Sequence, residues 1–308
     1  MLSLKFAVMQ RRFIYFINPI SGTKGKILLL EAIKKSTAEK NIPFEVLHTN
    51  AEGDYQYLRR KIAAEKITDI IICGGDGTVN QVGNALLGVD VNVGIIPMGS
   101  GNGLAFAAKI PKQITKALDI IFKGNAVYID SFYINKKFSC MLCGVGFDAQ
   151  VAHDFAKQKK RGLATYVKQS TRNFIWAKPY PFGLSVNGDA FTTEAFFISI
   201  ANSNQFGNNF TIAPQASLHD GLLDIVIVNK MSKMRMLWNI LKQIRKGEVR
   251  PYEDKKYHRT DIGYFQTKKL TIQNPQQAPL HIDGDPAVTA GLFEIEIIEN
   301  AFRLLMQE

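Results

Sequence analysis

The stretch IIICGGDGTVNQV, residues 70–82, runs from an apolar segment into two glycines, an acid, a third glycine and a threonine. Glycines at a strand end let backbone approach a ligand closely, and the free N–H groups of the following helix attract anions. Two other stretches share this character, NPISGTKGK at residues 18–26 and PMGSGNG at residues 97–103. Thr78, Ser100 and Asn102 add side-chain donors. One such turn alone is equally well a tight sheet-to-helix connection. Three in succession describe a polyphosphate site better than a single-phosphate site.

Asp76 is out of place in such a turn. Beside a triphosphate, at 4 Å and an effective dielectric near 20, it costs about 4 kcal/mol per charge pair. Mg²⁺ between the two reverses the sign. Asp76 therefore predicts a divalent cation or a direct role as a base. The alternative is a helix N-cap, a common task for Asp, although capping alone does not explain three surrounding glycines. Two familiar nucleotide motifs fail here. SGTKGK lacks P-loop spacing and GDGTVN is not G-x-G-x-x-G. GVGFDA, residues 144–149, has dinucleotide spacing but no acid about 20 residues on, so the match is read as accidental.

The elements that must position these loops follow from periodicity. RRFIYFINP, IPFEVLHT, ITDIIIC and VNVGIIP read as strands. Amphipathic helical patterns separate them, over residues 24–41, 54–65, 78–88 and 103–124. This β-α-β-α order predicts an α/β domain over residues 1–130, an open, mostly parallel sheet with helices on both faces. Ligands bind such sheets at the carboxyl ends of the strands. After Asp130 alternation and aromatics dominate: AVYIDSFYIN, KKFSCMLCGVGF, PFGLSVNG, DAFTTEAFFISIANS and GLLDIVIVN read as strands. Helices are expected only over residues 155–177 and 232–246. Residues 131–290 are thus read as a mainly-β antiparallel sandwich. The segment at residues 291–308 is expected to return to the first domain.

Bulk properties agree with a two-domain, anion-binding protein. The chain has 308 residues, 46% hydrophobic, with 38 Lys and Arg against 27 Asp and Glu, a net charge of +11. Such an excess favours nucleotide phosphates, nucleic acid or an acidic membrane surface. Three cysteines argue against a disulfide framework. No apolar run approaches the roughly 20 residues needed to span a bilayer, and MLSLKFAVMQRR has the reverse order of a secretory signal. A cytoplasmic protein is expected, with peripheral contact at the inner membrane face.

In sequence order, NPISG, Thr49, GGDGTVNQV, PMGSGNGLA, Asp130, CGVGFDA, APQASLHDGLLDI and IDGD make the chain resemble the lipid kinase superfamily of diacylglycerol and sphingosine kinases. The resemblance implies transfer of the ATP γ-phosphoryl group to a lipid hydroxyl, with Mg²⁺ as cofactor and a β-rich domain helping to form the lipid site. It places the nucleotide at Asn18, Ser21, Gly22, Thr49, Gly74, Gly75, Gly77, Thr78, Asn80, Gly99, Ser100 and Asn102. It places a structural Mg²⁺ at Ser217, Asp220 and Leu222, with Asp220 supplying the charge and a plain Asp-Gly turn as the alternative. It makes Asp283 the expected general base, with Asp76 the rival for that role. Asp-Gly at residues 283–284 is otherwise a type I′ hairpin turn. Gly103, where bacterial diacylglycerol kinases usually have an acid, and Asp285, where relatives often have Glu, leave the lipid's identity open.

Remaining features have bland readings beside functional ones. Residues 230–250 form a basic amphipathic pattern, fit either for a membrane interface or for packing on the β domain. Cys140 and Cys143 lie within a strand and are expected to be buried thiols. His281, near Asp283, is placed to tune it, with a surface histidine as the plainer reading. Rival functions are an NAD kinase-like small-molecule kinase and a non-catalytic nucleotide- or lipid-binding protein at the membrane. No nucleic-acid module is evident. The oligomeric state, monomer or homodimer, is left open.

Overall fold

The computed structural model describes residues 10–18, 23–50, 52–158, 163–205, 212–235 and 261–307. Its first part is β1 (Phe13–Ile17), α1 (Thr23–Glu39), β2 (Phe44–His48), α2 (Tyr57–Glu65), β3 (Asp69–Gly74), α3 (Asp76–Ala85), β4 (Asn92–Pro97), α4 (Gly103–Ala107) and α5 (Ile114–Lys123). FIYFI and DIIICG are buried along their whole length, as strands covered on both faces must be. The four strands pair in parallel, in the order β2-β1-β3-β4. Ile17 lies opposite both His48 and Cys73, and Gly74 lies opposite Pro97. All three glycine-bearing connections therefore leave the sheet at one edge.

The second part is built from β5 (Ala126–Ile134), β6 (Lys137–Ser139), β7 (Leu142–Gly146), α6 (Phe147–Ala156), α7 (Leu163–Trp176), β8 (Tyr180–Val186), β9 (Asp189–Ala201), β10 (Leu223–Asn229), β11 (Ile262–Thr267), β12 (Lys269–Gln273), β13 (Leu280–Ile282), β14 (Asp285–Ala287) and β15 (Leu292–Leu305). These strands pair antiparallel with one another. Alternation along β10 divides the core. Leu223, Ile225 and Ile227 join Phe132, Phe182 and Phe293 on one side, while Val226 and Val228 join Phe197 and Tyr264 on the other. The second cluster is covered by Phe147 of α6 and Phe174 of α7.

β15 ties the two parts together. Its first half pairs with β12 and β5, and its last residues pair in parallel with β4, Arg303 opposite Asn92 and Leu304 opposite Val93. The register against β5 shifts between Ile298 and Phe302, with Asn300 at φ 53°. Asp130 anchors this irregularity. Its carboxylate accepts from Asn300 N at 2.8 Å and from Gly221 N at 2.7 Å. Among the described residues no helix is long and apolar enough to cross a membrane.

Several element expectations need correction: the helix read over residues 103–124 is α4 and α5, and the strand read over KKFSCMLCGVGF is β6 and β7, with Cys140 and Met141 between them in neither. The strand read through GVGF stops at Gly146, whose φ of 109° turns the chain directly into α6. The helix read over residues 155–177 is instead α6 and α7. The expected helix at residues 232–246 lies outside the described residues from 236 onward.

Candidate functional site

The second and third glycine loops touch. A Cβ on Gly99 would lie 2.6 Å from the Gly75 Cα, so no side chain fits between them. Asn102, at φ 57°, closes the third loop on itself: its Oδ1 accepts from Gly99 N at 2.8 Å and its Nδ2 donates to Gly99 O at 2.7 Å. The Asn102 backbone N–H donates to Asp76 Oδ2 at 2.7 Å. Gly75, not Asp76, occupies the N-cap of α3, and Asp76 is the first helical residue. Its carboxylate bridges two loops rather than capping its own helix. Burial, followed by the charges of Asp283 and Asp285, pushes the Asp76 carboxyl up to about 6.

Asp283 and Gly284, at φ 49° and 85°, form the two-residue turn between β13 and β14, with Ile282 paired to Asp285. Positive φ at both positions is what a type I′ turn demands. The turn also has a buried carboxylate. Asp283 Oδ1 accepts from Ser139 Oγ at 2.6 Å, Met141 N at 3.1 Å and Leu142 N at 3.0 Å. Its Oδ2 accepts from Asn80 Nδ2 at 2.7 Å and Cys140 N at 3.1 Å. Both carboxylate oxygens are thus engaged, with the Cys140 thiol a further donor at 3.5 Å. Asp285, exposed at the other end of the turn, faces the second glycine loop. Its Oδ2 lies 3.0 Å from where a Cβ on Gly77 would stand.

The other expected nucleotide residues divide. Asn18, Thr49 and Gly74 sit at the shared strand edge, and Ser100 is exposed in the third loop. Thr78 is buried against Gly74. Asn80 donates to Phe138 O as well as to Asp283 and so faces the second domain. Ser21 and Gly22 lie outside the described residues.

His281 is fully buried, contrary to the surface position expected for it. β13 pairs with β7 under α6, so His281 stands opposite Gly144. Its Nε2 lies 3.3 Å from Asp148 Oδ2, and its Nδ1 accepts from Gly284 N at 3.3 Å. A Cβ on Gly144 would come within 1.8 Å of that Asp148 oxygen. The glycine spacing of GVGFDA therefore makes room for a buried Asp–His pair behind the acidic turn. Cys140 and Cys143 are buried free thiols, and burial raises both well above the usual range.

At residues 217–222, Ser217 Oγ lies 3.1 Å from His219 Nδ1, and Leu222 N donates to the exposed Asp220 at 3.1 Å. Asp224 follows in β10, fully buried, with Oδ2 unpartnered. Burial first, and then the Asp220 charge, raise its carboxyl to about 6 against the lowering effect of the bonds from Tyr264 and Gln266. Among the described residues no three His, Cys, Asp or Glu side chains group as a metal site, and Asp220 is the exposed carboxylate of this segment, a hard oxygen donor of the kind Mg²⁺ takes.

Comparison with known proteins follows the same division. Residues 12–134 match the diacylglycerol kinase catalytic domain. Residues 142–306, more than half of the chain, match the YegS C-terminal NAD kinase beta sandwich-like domain. The chain belongs to the diacylglycerol kinase-like lipid kinase family. A protein named "Probable lipid kinase YegS-like" from Yersinia enterocolitica is 28% identical over 277 residues, 87% of this chain and 89% of the relative. The diacylglycerol kinase of Bacillus subtilis is 27% identical, covering 89% of each chain. A crystal structure of a diacylglycerol kinase from Bacillus anthracis shares the fold at a TM-score of 0.76 and 22% identity, over 96% of this chain and 97% of that one. In this lipid kinase the interval between the two family matches, residues 135–141, contains Ser139, Cys140 and Met141, which hold Asp283.

Sequence reasoning missed those three donors, the Asp148–His281 pair and the anchoring role of Asp130.

Proposed function

We propose that this chain transfers the γ-phosphoryl group of ATP, bound as its Mg²⁺ complex, to the hydroxyl of a membrane lipid such as diacylglycerol or a sphingoid base. One observation carries the reading: Asp76, with its carboxyl near 6, stands where two glycine loops meet and the acidic turn of the second domain closes over them. The glycine loops and the α3 N-terminus bind the phosphates. Mg²⁺, when bound, offsets charge on the phosphoryl oxygens. Asp220, with oxygens of Ser217 and Leu222, would hold a structural Mg²⁺ in the second domain.

The acceptor hydroxyl attacks the γ-phosphorus, its proton passes to a carboxylate, and the bond to the ADP oxygen breaks. Asp76 is the base in this reading, since a carboxyl near the working pH combines the ionised state with proton affinity. Asp285 raises that affinity through its charge. Asp283, saturated by donors, positions the turn. The test is turnover of labelled ATP and Mg²⁺ with diacylglycerol, sphingosine or NAD⁺ as acceptor, for wild type, Asp76→Asn and Asp285→Asn. Label is expected in a lipid, with Asp76→Asn inactive and Asp285→Asn retaining measurable turnover. Label in NAD⁺ alone, or full activity of Asp76→Asn, contradicts the reading.

A further inference from the structure

Between Asp154 and Asp189 the chain has seven Lys and Arg residues and no acid. This run contains α7. Lys168, Arg172 and Trp176, spaced by four, are exposed, while Gln169 is buried and Phe174 half-buried toward the sheet. Ile175 is 58% exposed and Trp176 78%. Lys233 Nζ donates to the Ile175 carbonyl, which brings the neighbouring Met234, itself 78% exposed, to the end of the helix. Lys178 follows, also exposed. The nearby acids Glu194 and Asp261 are each paired, with Lys230 and Arg235.

We infer that this face (Lys168, Arg172, Ile175, Trp176, Lys178 and Met234) seats the protein on an anionic lipid bilayer. Exposed large apolar side chains grouped together mark an interaction surface. A helix with Trp at its tip and bases along its exposed flank suits the headgroup boundary, where Trp prefers to sit and bases meet anionic lipid. A second copy of the chain would set bases against bases, since the patch contains no acid to answer them. The location also suits access to the site. Phe174 stands edge-on to Phe147 at 6.4 Å, and Phe147 opens α6, whose Asp148 contacts His281 behind the acidic turn. The inference deepens the lipid-kinase reading and rests on it for the reason a bilayer is met.

The test uses the full chain with Trp238→Phe, leaving Trp176 as its only tryptophan. It is titrated with vesicles of equal parts phosphatidylglycerol and phosphatidylcholine, and with phosphatidylcholine alone. Binding and a blue shift of Trp176 emission are expected only with the anionic vesicles, weakening as salt is added. Replacing Lys168, Arg172 and Lys178 by Gln should weaken binding about a hundredfold, at about 1 kcal/mol per charge. Ile175→Ser with Met234→Ser should remove vesicle binding and leave phosphorylation of a water-soluble short-chain acceptor unchanged. Equal binding to both vesicles, no spectral shift, or a shift caused by self-association or RNA instead overturns the inference. Vesicle binding without any kinase activity would count against the proposed reaction alone. Kinase activity on dispersed lipid without vesicle binding would count against this surface alone.

Discussion

Asn80 Nδ2 donates to Asp283 Oδ2 at 2.7 Å, joining residues 203 positions apart in sequence. The donor stands in the helix that opens at the glycine loop, and the acceptor stands in the acidic turn of the second domain. Ser139 and the backbone of residues 140–142 complete the grip on the same carboxylate. The spacing between the glycine loops and the acidic turn is thus fixed at one buried carboxyl group.

Asp283→Asn should destabilise the fold, because an amide nitrogen would then face donors. A loss of about 2–4 kcal/mol is expected, measured by denaturant unfolding, with activity falling alongside. Full stability with activity alone abolished would return Asp283 to the role of base.

Asp76→Asn should do the opposite to stability. The folded carboxyl, near 6, lies above its ordinary value of 3.8. Its contribution is fully present below about pH 4 and is lost as pH rises through 6. The variant escapes that loss, so it should gain about 1–3 kcal/mol over wild type at pH 8 and almost nothing at pH 4. Unfolding curves at the two pH values decide it.

The rate should titrate with the same group. We expect kcat/KM to fall below about pH 6, with the limb moving to lower pH in Asp285→Asn, because removing that charge lowers the proton affinity of Asp76. An unmoved limb would separate Asp285 from Asp76.

Gly144→Ala would place a methyl 1.8 Å from Asp148 and 2.5 Å from His281. It should cost about 1–3 kcal/mol as overpacking and lower kcat by displacing the acidic turn. Gly263→Ala, whose methyl would meet Ile227 at 3.6 Å, is the control and should change melting temperature far less.

Mg²⁺ should raise the melting temperature of wild type by linkage, and chelation should reverse the rise. Asp220→Ala should reduce the shift. An equal shift in both would move the structural cation away from residues 217–222.

Much of this molecule was legible in its sequence. The parallel sheet followed from runs such as DIIICG, which only a doubly covered strand tolerates. The loops were legible because glycine after an apolar strand has few other uses. Side-chain partners across long separations were not. IDGD looks the same whether its first Asp points to solvent or into five donors, and those donors are mostly backbone N–H groups, which carry no sequence signal. His281 was misread for a related reason: a three-residue strand gives too little alternation to tell inside from outside. GVGFDA looked accidental as a nucleotide motif, yet Gly144 is required by the Asp148–His281 pair, and Gly146 by its φ of 109° and the closeness of the Phe196 carbonyl.

Phosphoryl transfer to lipid through Asp76 is tested by incubation of wild type and Asp76→Asn with γ-labelled ATP, Mg²⁺ and a total lipid extract, followed by identification of the labelled product. A phosphorylated lipid is expected with wild type, dependent on Mg²⁺, and none with the variant. Label confined to water-soluble products, or equal lipid labelling by both proteins, would contradict it.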